Sequence, residues 1–255
     1  MPNHAIDTAL LHAARRLSDQ LQTMQFAPPV ASVYDPLRYA WAPYEAYVRR
    51  YGATRKRAVL VGMNPGPFGM MQTGVPFGEV SAVRDWMRLH APVQRPPHEH
   101  PKRRIEGFAC RRSEVSGRRL WGWAAQRFGP APAFFRDWFV LNYCPLVFLE
   151  ASGRNLTPDR LRVAERRALE AACDEHLATA LIALQPQWLI GVGGFAEQRL
   201  QRLLAGDRIG PAMKKRLQVA QILHPSPASP AANRGWAEAV DRRLGELGLL
   251  PPARS

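Results

Sequence analysis

Four short apolar segments stand out along the chain, and each ends abruptly in polar residues, proline or glycine. They cover residues 57–62, 139–141, 188–192 and 219–223. Their length suits strands better than helices. An uninterrupted apolar run is typical of strands buried on both faces, as in a parallel sheet covered by helices. The pattern therefore predicts four buried strands.

Between these segments the apolar positions recur every three or four residues, which is the helical period. The first such stretch places Leu10, Ala14 and Leu17 on one face before the pair Pro28-Pro29 ends it. Later in the chain, Thr157 is expected to cap a long helix that opens at Pro158 and runs to about Leu184. Further helices are predicted at 80–90, at 118–128, from about residue 195, and at 233–247.

Strands that alternate with helices predict an α/β fold, here a single-domain three-layer sandwich with a four-stranded parallel sheet flanked by helices. The 255 residues, 46% of them apolar, suffice for one domain with a real core. We expect an N-terminal helix within 1–27, the core of the domain in 28–250 and a tail in 251–255. Residues 91–117 are rich in proline, arginine and histidine and predict a long surface excursion. Its run His98-Glu99-His100 is expected to be exposed and to bind no metal.

The formal net charge of +14 and the pI near 10.7 favour polyanionic partners, with nucleic acid before anionic membranes. Only four of the 35 basic residues are lysine. Arginine suits bidentate phosphate contacts, but a G+C-rich genome would produce the same bias, and the composition leaves both interpretations open. No apolar run approaches the roughly 18 residues that a membrane span needs.

Three cysteines, Cys110, Cys144 and Cys173, are scattered and match no metal or disulfide spacing. Unpaired thiols in a reducing compartment are the expectation. Charged residues such as Asp7 and Arg15 interrupt the N-terminal segment, so no signal-peptide core is predicted. We therefore expect an intracellular protein, in the cytoplasm or nucleoid if bacterial, and a monomer.

The candidate chemistry lies where three predicted strands end. Asn64, Asn142 and His224 each follow an apolar strand, and each has a proline within the next three residues. The carboxyl ends of parallel strands share one edge of the sheet, where open α/β folds bind their ligands. Singly, each residue has a structural explanation, because asparagine often caps its own turn. Together, and with no carboxylate among them, they predict an uncharged, rigid-walled pocket.

Four sequence motifs add a specific resemblance. The chain from about Tyr34 to Leu250 resembles the single-strand-selective monofunctional uracil-DNA glycosylases. The resemblance is carried by the stretches Gly62–Met70 with Gln72–Val80, Ser113–Gly117, Ser152–Pro158, and His224–Pro227 followed by Pro230, Asn233, Gly235 and Trp236.

This resemblance implies a DNA-repair enzyme of base excision repair that flips a uracil nucleotide into a pocket and hydrolyses its N-glycosidic bond, leaving an abasic site. It also implies action on 5-hydroxymethyluracil and on both single- and double-stranded DNA. No cofactor and no metal are expected. The loops offer no lysine for Schiff-base chemistry, which is consistent with a monofunctional enzyme. The resemblance implies the uracil-DNA glycosylase fold.

The resemblance also assigns roles within the pocket. Asn64 would hold the attacking water, and His224 would donate to uracil O2 as negative charge builds on the leaving base. Asn142 would read the Watson–Crick edge through its amide, which offers both a donor and an acceptor. Three further assignments follow from the same motif: Phe77 would stack on the base, while Met63 and the backbone from Gly66 through Met70, Phe68 included, would line its C5 edge.

DNA contacts are expected outside the pocket as well. The loop Ser152, Gly153, Arg154 and Asn155 would grip the backbone together with the start of the following helix and Ser226. The segment from Pro225 to Asn233, which includes Pro227 and Ala228, would fill the space that the flipped base vacates. Vertebrate members of the family carry an arginine where this chain has Ala228. A methyl group cannot plug the base stack as an arginine would.

Two other functions compete with this one. The segment Gly191–Ala196 follows a strand and opens a helix, as a dinucleotide-binding fingerprint does, although Asp207 lies in a turn and not at a strand end. We expect these glycines to serve close packing of strand and helix. The net charge alone would also suit a DNA-binding protein without catalysis, which would leave the Asn/Asn/His pocket without a purpose.

Overall fold

The computed structural model describes residues 4–250, so the predicted tail at 251–255 lies outside the described residues. Its strands are β1 (Ser32–Tyr34), β2 (Ala58–Gly62), β3 (Trp138–Asn142), β4 (Val147–Leu149), β5 (Asn155–Leu156), β6 (Trp188–Val192) and β7 (Gln218–Ile222). Its α-helices are α1 (His4–Gln22), α2 (Pro36–Tyr39), α3 (Trp41–Tyr51), α4 (Met70–Thr73), α5 (Val115–Phe128), α6 (Ala131–Asp137), α7 (Val163–Leu184), α8 (Gly194–Ala205), α9 (Pro211–Lys214), α10 (Pro230–Asn233) and α11 (Trp236–Glu246).

The main sheet is parallel and has the strand order β3-β2-β6-β7. Every residue of β2 and β3 is buried, because helices cover both faces. This confirms the predicted four-stranded parallel sheet flanked by helices. β2 pairs with β3 on one side and with β6 on the other, so the chain crosses over β2 between those two strands. Such a switch in strand order opens a crevice at the carboxyl edge.

Two groups of helices cover the sheet, and only the first packs mainly through aromatic rings. α3, α5 and α6 pack through aromatic rings such as Trp121, Phe134 and Phe135. Elsewhere the long helices α1 and α7 pack closely against each other, and α8 covers β6 and β7. Buried ion pairs from Arg199 on α8 to Glu170 and Asp174 on α7 connect these two helices.

A second sheet was not predicted. β1, β4 and β5 form a three-stranded antiparallel sheet in which Ser32 pairs with Leu149, and Leu149 with Asn155. Strands of two or three residues are too short to show an alternating pattern. This small sheet matters because its hairpin carries Asn155 to the carboxyl edge of the main sheet.

Several predicted helix boundaries were wrong. α1 ends at Gln22 and not at Pro28-Pro29, and α5 begins at Val115 and not at residue 118. The helix expected at 80–90 ends in a π-helical turn, Ala82–Trp86, and Arg88 has a positive φ. Pro158 opens a 3-10 turn, Pro158–Arg160, which Thr157 does not cap through its side chain, and α7 begins only at Val163. The last helix begins at Trp236, because Gly235 separates it from α10.

The excursion at 91–117 is only partly a surface feature. Ile105 and Cys110 are buried, and His100 is 5% exposed, so the expectation that His100 is exposed was wrong. The backbone N–H of His100 donates to the Tyr34 hydroxyl, and its Nε2 lies 3.1 Å from the Ala151 carbonyl oxygen. His100 therefore ties the excursion to the β4–β5 turn. Within residues 4–250 no group of three metal-binding side chains is present.

The glycines of the fingerprint-like segment serve packing. A β-carbon on Gly191 would lie 2.6 Å from the α-carbon of Glu197, so only glycine lets α8 approach β6 this closely.

The predicted unpaired cysteines are confirmed, since Cys110, Cys144 and Cys173 are free and buried. Among the described helices, none combines the length and the apolar character needed to cross a bilayer.

Candidate active site

The three strand ends meet at one cavity. Asn64, Asn142 and His224 all line a cleft of about 560 Å³ at the carboxyl edge of the main sheet, a volume typical of small-ligand sites. The strand pairing brings the first two together, because Gly62 is in register with Asn142 and the Cys144 N–H donates to the Met63 carbonyl. Other predicted residues on the same cavity are Met63, Gly66, Phe68, Phe77, Asn155, Ser226 and Pro227.

Gly62 allows Asn142 and Phe77 to meet at the floor of the cavity. A β-carbon at this position would lie 2.5 Å from Asn142 Oδ1 and 2.6 Å from the Phe77 ring. Real β-carbons essentially never approach other atoms so closely. The amide of Asn142 is 9% exposed and its Nδ2 lies 3.3 Å from Met70 Sδ, a weak acceptor. A ligand can therefore displace that contact and use both ends of the amide.

Phe77 adopts a strained backbone conformation. Its φ of 52° lies in the left-handed region, which bulky residues rarely occupy. The Trp121 indole N–H donates to the Phe77 carbonyl at 2.9 Å, and Gly117 of α5 packs against the same carbonyl. Strain that the surroundings enforce in this way is common at functional sites. Here it fixes an aromatic ring that is 8% exposed against the cavity.

The amide of Asn64 is oriented by one hydrogen bond. Its Nδ2 donates to the Leu146 carbonyl oxygen at 3.2 Å. The partner is a carbonyl, which can only accept, so the orientation of the amide is set. Asn64 Oδ1 is left as an acceptor beside the cavity, which suits it to hold a water molecule.

His224 has a defined tautomer. The Ser226 N–H donates to its Nδ1 at 3.1 Å, so the proton of the neutral ring sits on Nε2. Burial lowers the pKa of His224, so the neutral ring prevails at neutral pH. The neighbouring Gly193, with φ of +89°, leaves room for the ring, since a β-carbon there would lie 3.1 Å from His224 Cβ. His224 is therefore a neutral N–H donor.

The loop that follows His224 is braced from three directions. Arg119 on α5 donates to the carbonyls of Pro225 and Ser226 at 3.0 and 3.3 Å and to Asn233 Oδ1 at 2.8 Å. Asn233 in turn donates to the Pro227 carbonyl at 2.9 Å. The indole of Trp236 donates to the Leu223 carbonyl just before the loop. These bonds hold the histidine loop rigid without using its side chains.

The comparisons with known proteins agree with one another. The model of the Uracil DNA glycosylase superfamily matches residues 49–243. Proteins named single-strand selective monofunctional uracil DNA glycosylase from Bos taurus, Mus musculus and Rattus norvegicus are each 50% identical to the chain over 236 residues. These matches cover 92% of this chain and 85%, 82% and 83% of the three mammalian proteins, respectively.

The chain belongs to this family of uracil-DNA glycosylases. The crystal structure of wild-type SMUG2 from Pedobacter heparinus has a similar fold, with a TM-score of 0.65 over 92% of this chain and 97% of that one. At 18% identity that likeness shows the fold alone. The family resemblance seen in the sequence motifs is thus confirmed at the level of both sequence and fold.

In this member of the glycosylase family, the sequence motif Ser113–Gly117 supplies a residue to which no role was assigned. Glu114 lines the cavity, and its carboxyl Oε2 is shielded from solvent and has no hydrogen-bond partner. The residue matched the family motif, but no sequence pattern indicated that its carboxyl turns inward. Other unassigned residues on the cavity are Pro65, Ser113, Val115, Ser116 and Thr157.

The predicted DNA-binding residues divide into two groups. Asn155, Ser226 and Pro227 line the cavity, and the Oδ1 of Asn155 is buried without a partner. The remaining residues lie outside it: Ser152, Gly153 and Arg154 belong to the β4–β5 turn, while Pro225 and Ala228 belong to the loop that follows His224.

Proposed function

We propose that the chain hydrolyses the N-glycosidic bond of uracil in DNA, releasing the base and leaving an abasic site. The observation that carries this proposal is the joint placement of Asn64, Asn142 and His224 on one cavity in a chain that is 50% identical to named uracil-DNA glycosylases. The scissile bond is inaccessible in a stacked strand, so the nucleotide must be extruded into this cavity.

Recognition of the base rests on Asn142 and Phe77. The Asn142 amide can accept from uracil N3–H through Oδ1 and donate to O4 through Nδ2, whereas cytosine would present a donor where O4 stands. The Phe77 ring, fixed by its strained backbone, stacks on the flipped base. A base that mismatches the buried amide leaves polar groups unpaired, which strongly disfavours it.

His224 supports departure of the base. As the bond from C1′ to N1 lengthens, its electron pair moves onto uracil, and negative charge builds on the carbonyl oxygens. The Nε2–H of the neutral His224 ring donates to O2 and stabilises that charge more in the transition state than in the ground state. A neutral donor suffices, because the uracil anion leaves without being protonated.

Asn64 supports the attack of water. Its Oδ1 accepts from the water and orients the oxygen toward C1′, which becomes cationic as the base leaves. The water oxygen bonds to C1′ and its proton passes to solvent. An amide is a negligible base, so Asn64 acts by positioning, and we expect slower turnover than in an enzyme with aspartate at this place.

The finer specificity is also part of the proposal. We expect action on 5-hydroxymethyluracil, because the wall assigned to the C5 edge of the base includes the unbranched, adaptable side chain of Met63. We expect double-stranded DNA to be a poorer substrate than single strands, because Ala228 is exposed on the histidine loop but too small to replace an extruded base.

The test is release of uracil from a 5′-labelled single-stranded oligonucleotide, followed by alkali to cut abasic sites. We expect the wild type to cut at uracil only after alkali treatment, and Asn64→Ala and His224→Ala to lose about 10²–10³ in single-turnover rate. His12→Ala, an exposed histidine on α1, serves as the matched control and should retain the full rate.

Two outcomes would contradict the proposal. If the wild type binds the oligonucleotide but leaves no alkali-labile site, the chain is a DNA-binding protein without catalysis. If folded Asn64→Ala and His224→Ala variants both keep the wild-type rate, the site assignment is wrong.

A further inference from the structure

One buried carboxyl in the cavity has no part in the steps described so far. Glu114 precedes α5, and although the residue as a whole is half-buried, its Oε2 is shielded and finds no hydrogen-bond partner. A buried polar atom without a partner is costly, so its retention calls for a reason. The side chain shares the cavity with Asn64, Asn142 and His224.

The loop opposite is shaped around this carboxyl. Gly66 and Gly69 both lack the β-carbon that would occupy the position of the carboxyl oxygens of Glu114, and Gly117 of α5 lies 2.9 Å from Oε2 by the same measure. Any larger residue at these positions would push the carboxyl away. Gly66 itself lines the cavity, and the carboxyl atom nearest to its missing β-carbon is Oε1, so this oxygen of Glu114 belongs to the wall that faces a bound base.

The charges around Glu114 favour its neutral form. Burial raises the pKa of Glu114 most, the negative charge of Glu79 raises it further, and the nearby backbone N–H of Gly117 lowers it, giving a pKa of about 7. Glu79 is itself held by Ser81 and the Ala82 N–H. The loop 62–70 brings no charged side chain to the carboxyl.

Two further ionisable groups lie near this part of the cavity. The guanidinium of Arg112 lies 4.2 Å from the centre of the Phe68 ring and is held against that ring at the rim. Across the cavity, the burial of His224 lowers its pKa and keeps its ring neutral near pH 7. Neither group contributes to the raised pKa of Glu114, whose charged neighbour is Glu79.

We propose that Glu114, as a neutral carboxylic acid, donates a hydrogen bond to a carbonyl oxygen of the flipped base and so acts as a second donor beside His224. This inference rests on the proposed function. A neutral carboxylic acid in an apolar pocket is an effective donor to a developing oxyanion. Once ionised, the same group loses its donor and places a negative charge beside a leaving anion. Both effects slow bond cleavage.

The rate should therefore depend on the protonation state of Glu114. Below its pKa the donor is present, and above that pKa the active fraction falls with each unit of pH. Glutamine retains a donor that does not titrate, and alanine retains none. A variant that was merely less well folded would release uracil more slowly but would keep the pH dependence of the wild type. A change in pH dependence therefore distinguishes a lost donor from a loss of structure.

The experiment measures single-turnover uracil release from a single-stranded oligonucleotide between pH 5.5 and pH 9 for the wild type, Glu114→Gln and Glu114→Ala. We expect the wild-type rate to fall about tenfold per pH unit above its bend near neutrality. Glu114→Gln should lack this limb. Glu114→Ala should lack it too and should be at least about tenfold slower than the wild type at pH 6. Glu106→Gln, an exposed carboxyl, is the matched control and should follow the wild-type curve.

Three contrary results are possible, and they distinguish a failure of this inference from a failure of the proposed function. If the wild type releases uracil at a rate that is flat to pH 9, or if Glu114→Gln bends at the same pH as the wild type, this inference is overturned while the proposed function stands. If the wild type releases no uracil at any pH, the proposed function fails and this inference fails with it. Should Glu114→Ala not fold, the comparison of wild type with Glu114→Gln decides alone.

Discussion

At the residue scale, the geometry of the site depends on glycines, whose lack of a β-carbon leaves room for the side chains around them. Gly62 ends β2, and its hydrogen lies where the Asn142 amide and the Phe77 ring converge. Gly193 makes the equivalent space for His224. A sequence motif rich in glycine therefore encodes distances between side chains that come from other parts of the chain.

Gly62→Ala tests this directly. The added methyl group would force the Asn142 amide and the Phe77 ring apart, so we expect uracil release to fall by about 10²-fold or more, as misplacement of about 1 Å can cost that much. The free energy of unfolding should fall by about 1–3 kcal/mol. Single-turnover kinetics and denaturant titration measure the two effects. Wild-type kinetics in this variant would show that the close packing at Gly62 has no role in catalysis.

At the element scale, the packing of α8 on β6 stabilises the fold without contacting the site residues of β2 and β3. β6 and α8 approach so closely at Gly191 that the α-carbon of Glu197 lies where a β-carbon would be placed. The site residues of β2 and β3 are not touched by this contact. The packing of these two elements is therefore separable from the chemistry.

We expect Gly191→Ala to lower the free energy of unfolding by about 1–3 kcal/mol while uracil release by the folded fraction changes little. The matched control is Gly122→Ala, at an exposed position within α5 where an added β-carbon meets no atom within 4 Å. That change should stabilise the protein by about 0.5–1 kcal/mol. Denaturant unfolding of both variants is the measurement, and equal effects of the two would refute the packing argument.

The strands and helices also show which features of the fold can be predicted from the sequence and which cannot. The four strands of the main sheet were predicted within about one residue, because burial on both faces leaves an unbroken apolar run. The start of α7 was misplaced, because a 3-10 turn carries the same Thr157-Pro158 signal as an α-helix. Asn64, Asn142 and His224 could be predicted from strand ends alone. The role of Glu114 could not, because only the fold brings its carboxyl beneath Gly66 and Gly69.

At the scale of the whole molecule, the charge of +14 does not by itself locate the DNA-binding face. Cationic residues also surround a concave surface of about 680 Å³ at the amino ends of the strands, on the edge opposite the site. Those residues include Arg55, Arg57, Lys215 and Arg216. The net charge therefore reflects composition as well as function.

The free energy of unfolding should depend on pH through the buried titratable groups. Glu114 is protonated in the folded protein up to a pKa of about 7 but ionises near 4.5 when unfolded, so the folded state binds the extra proton between those values. Its contribution to stability is thus present below about pH 4.5 and is lost as pH rises to about 7. Burial of His176 acts in the opposite sense, because it lowers the pKa of that ring to about 4.

The difference between Glu114→Gln and the wild type isolates the carboxyl, since His176 is common to both. We expect the free energy of unfolding of Glu114→Gln relative to the wild type to rise between pH 4.5 and pH 7 by about 3 kcal/mol, then to stay level. Urea titrations at several pH values give this difference. A difference that does not change with pH would mean that Glu114 ionises in the folded protein as it does in the unfolded chain.

The burial of all three cysteines has a practical consequence. A folded protein whose native sulfhydryls are shielded reacts little with maleimides, so one cysteine introduced in place of the exposed Ala228 would take a fluorophore almost alone. A dye there would sit beside the cavity and report, in real time, the moment when a nucleotide leaves its strand.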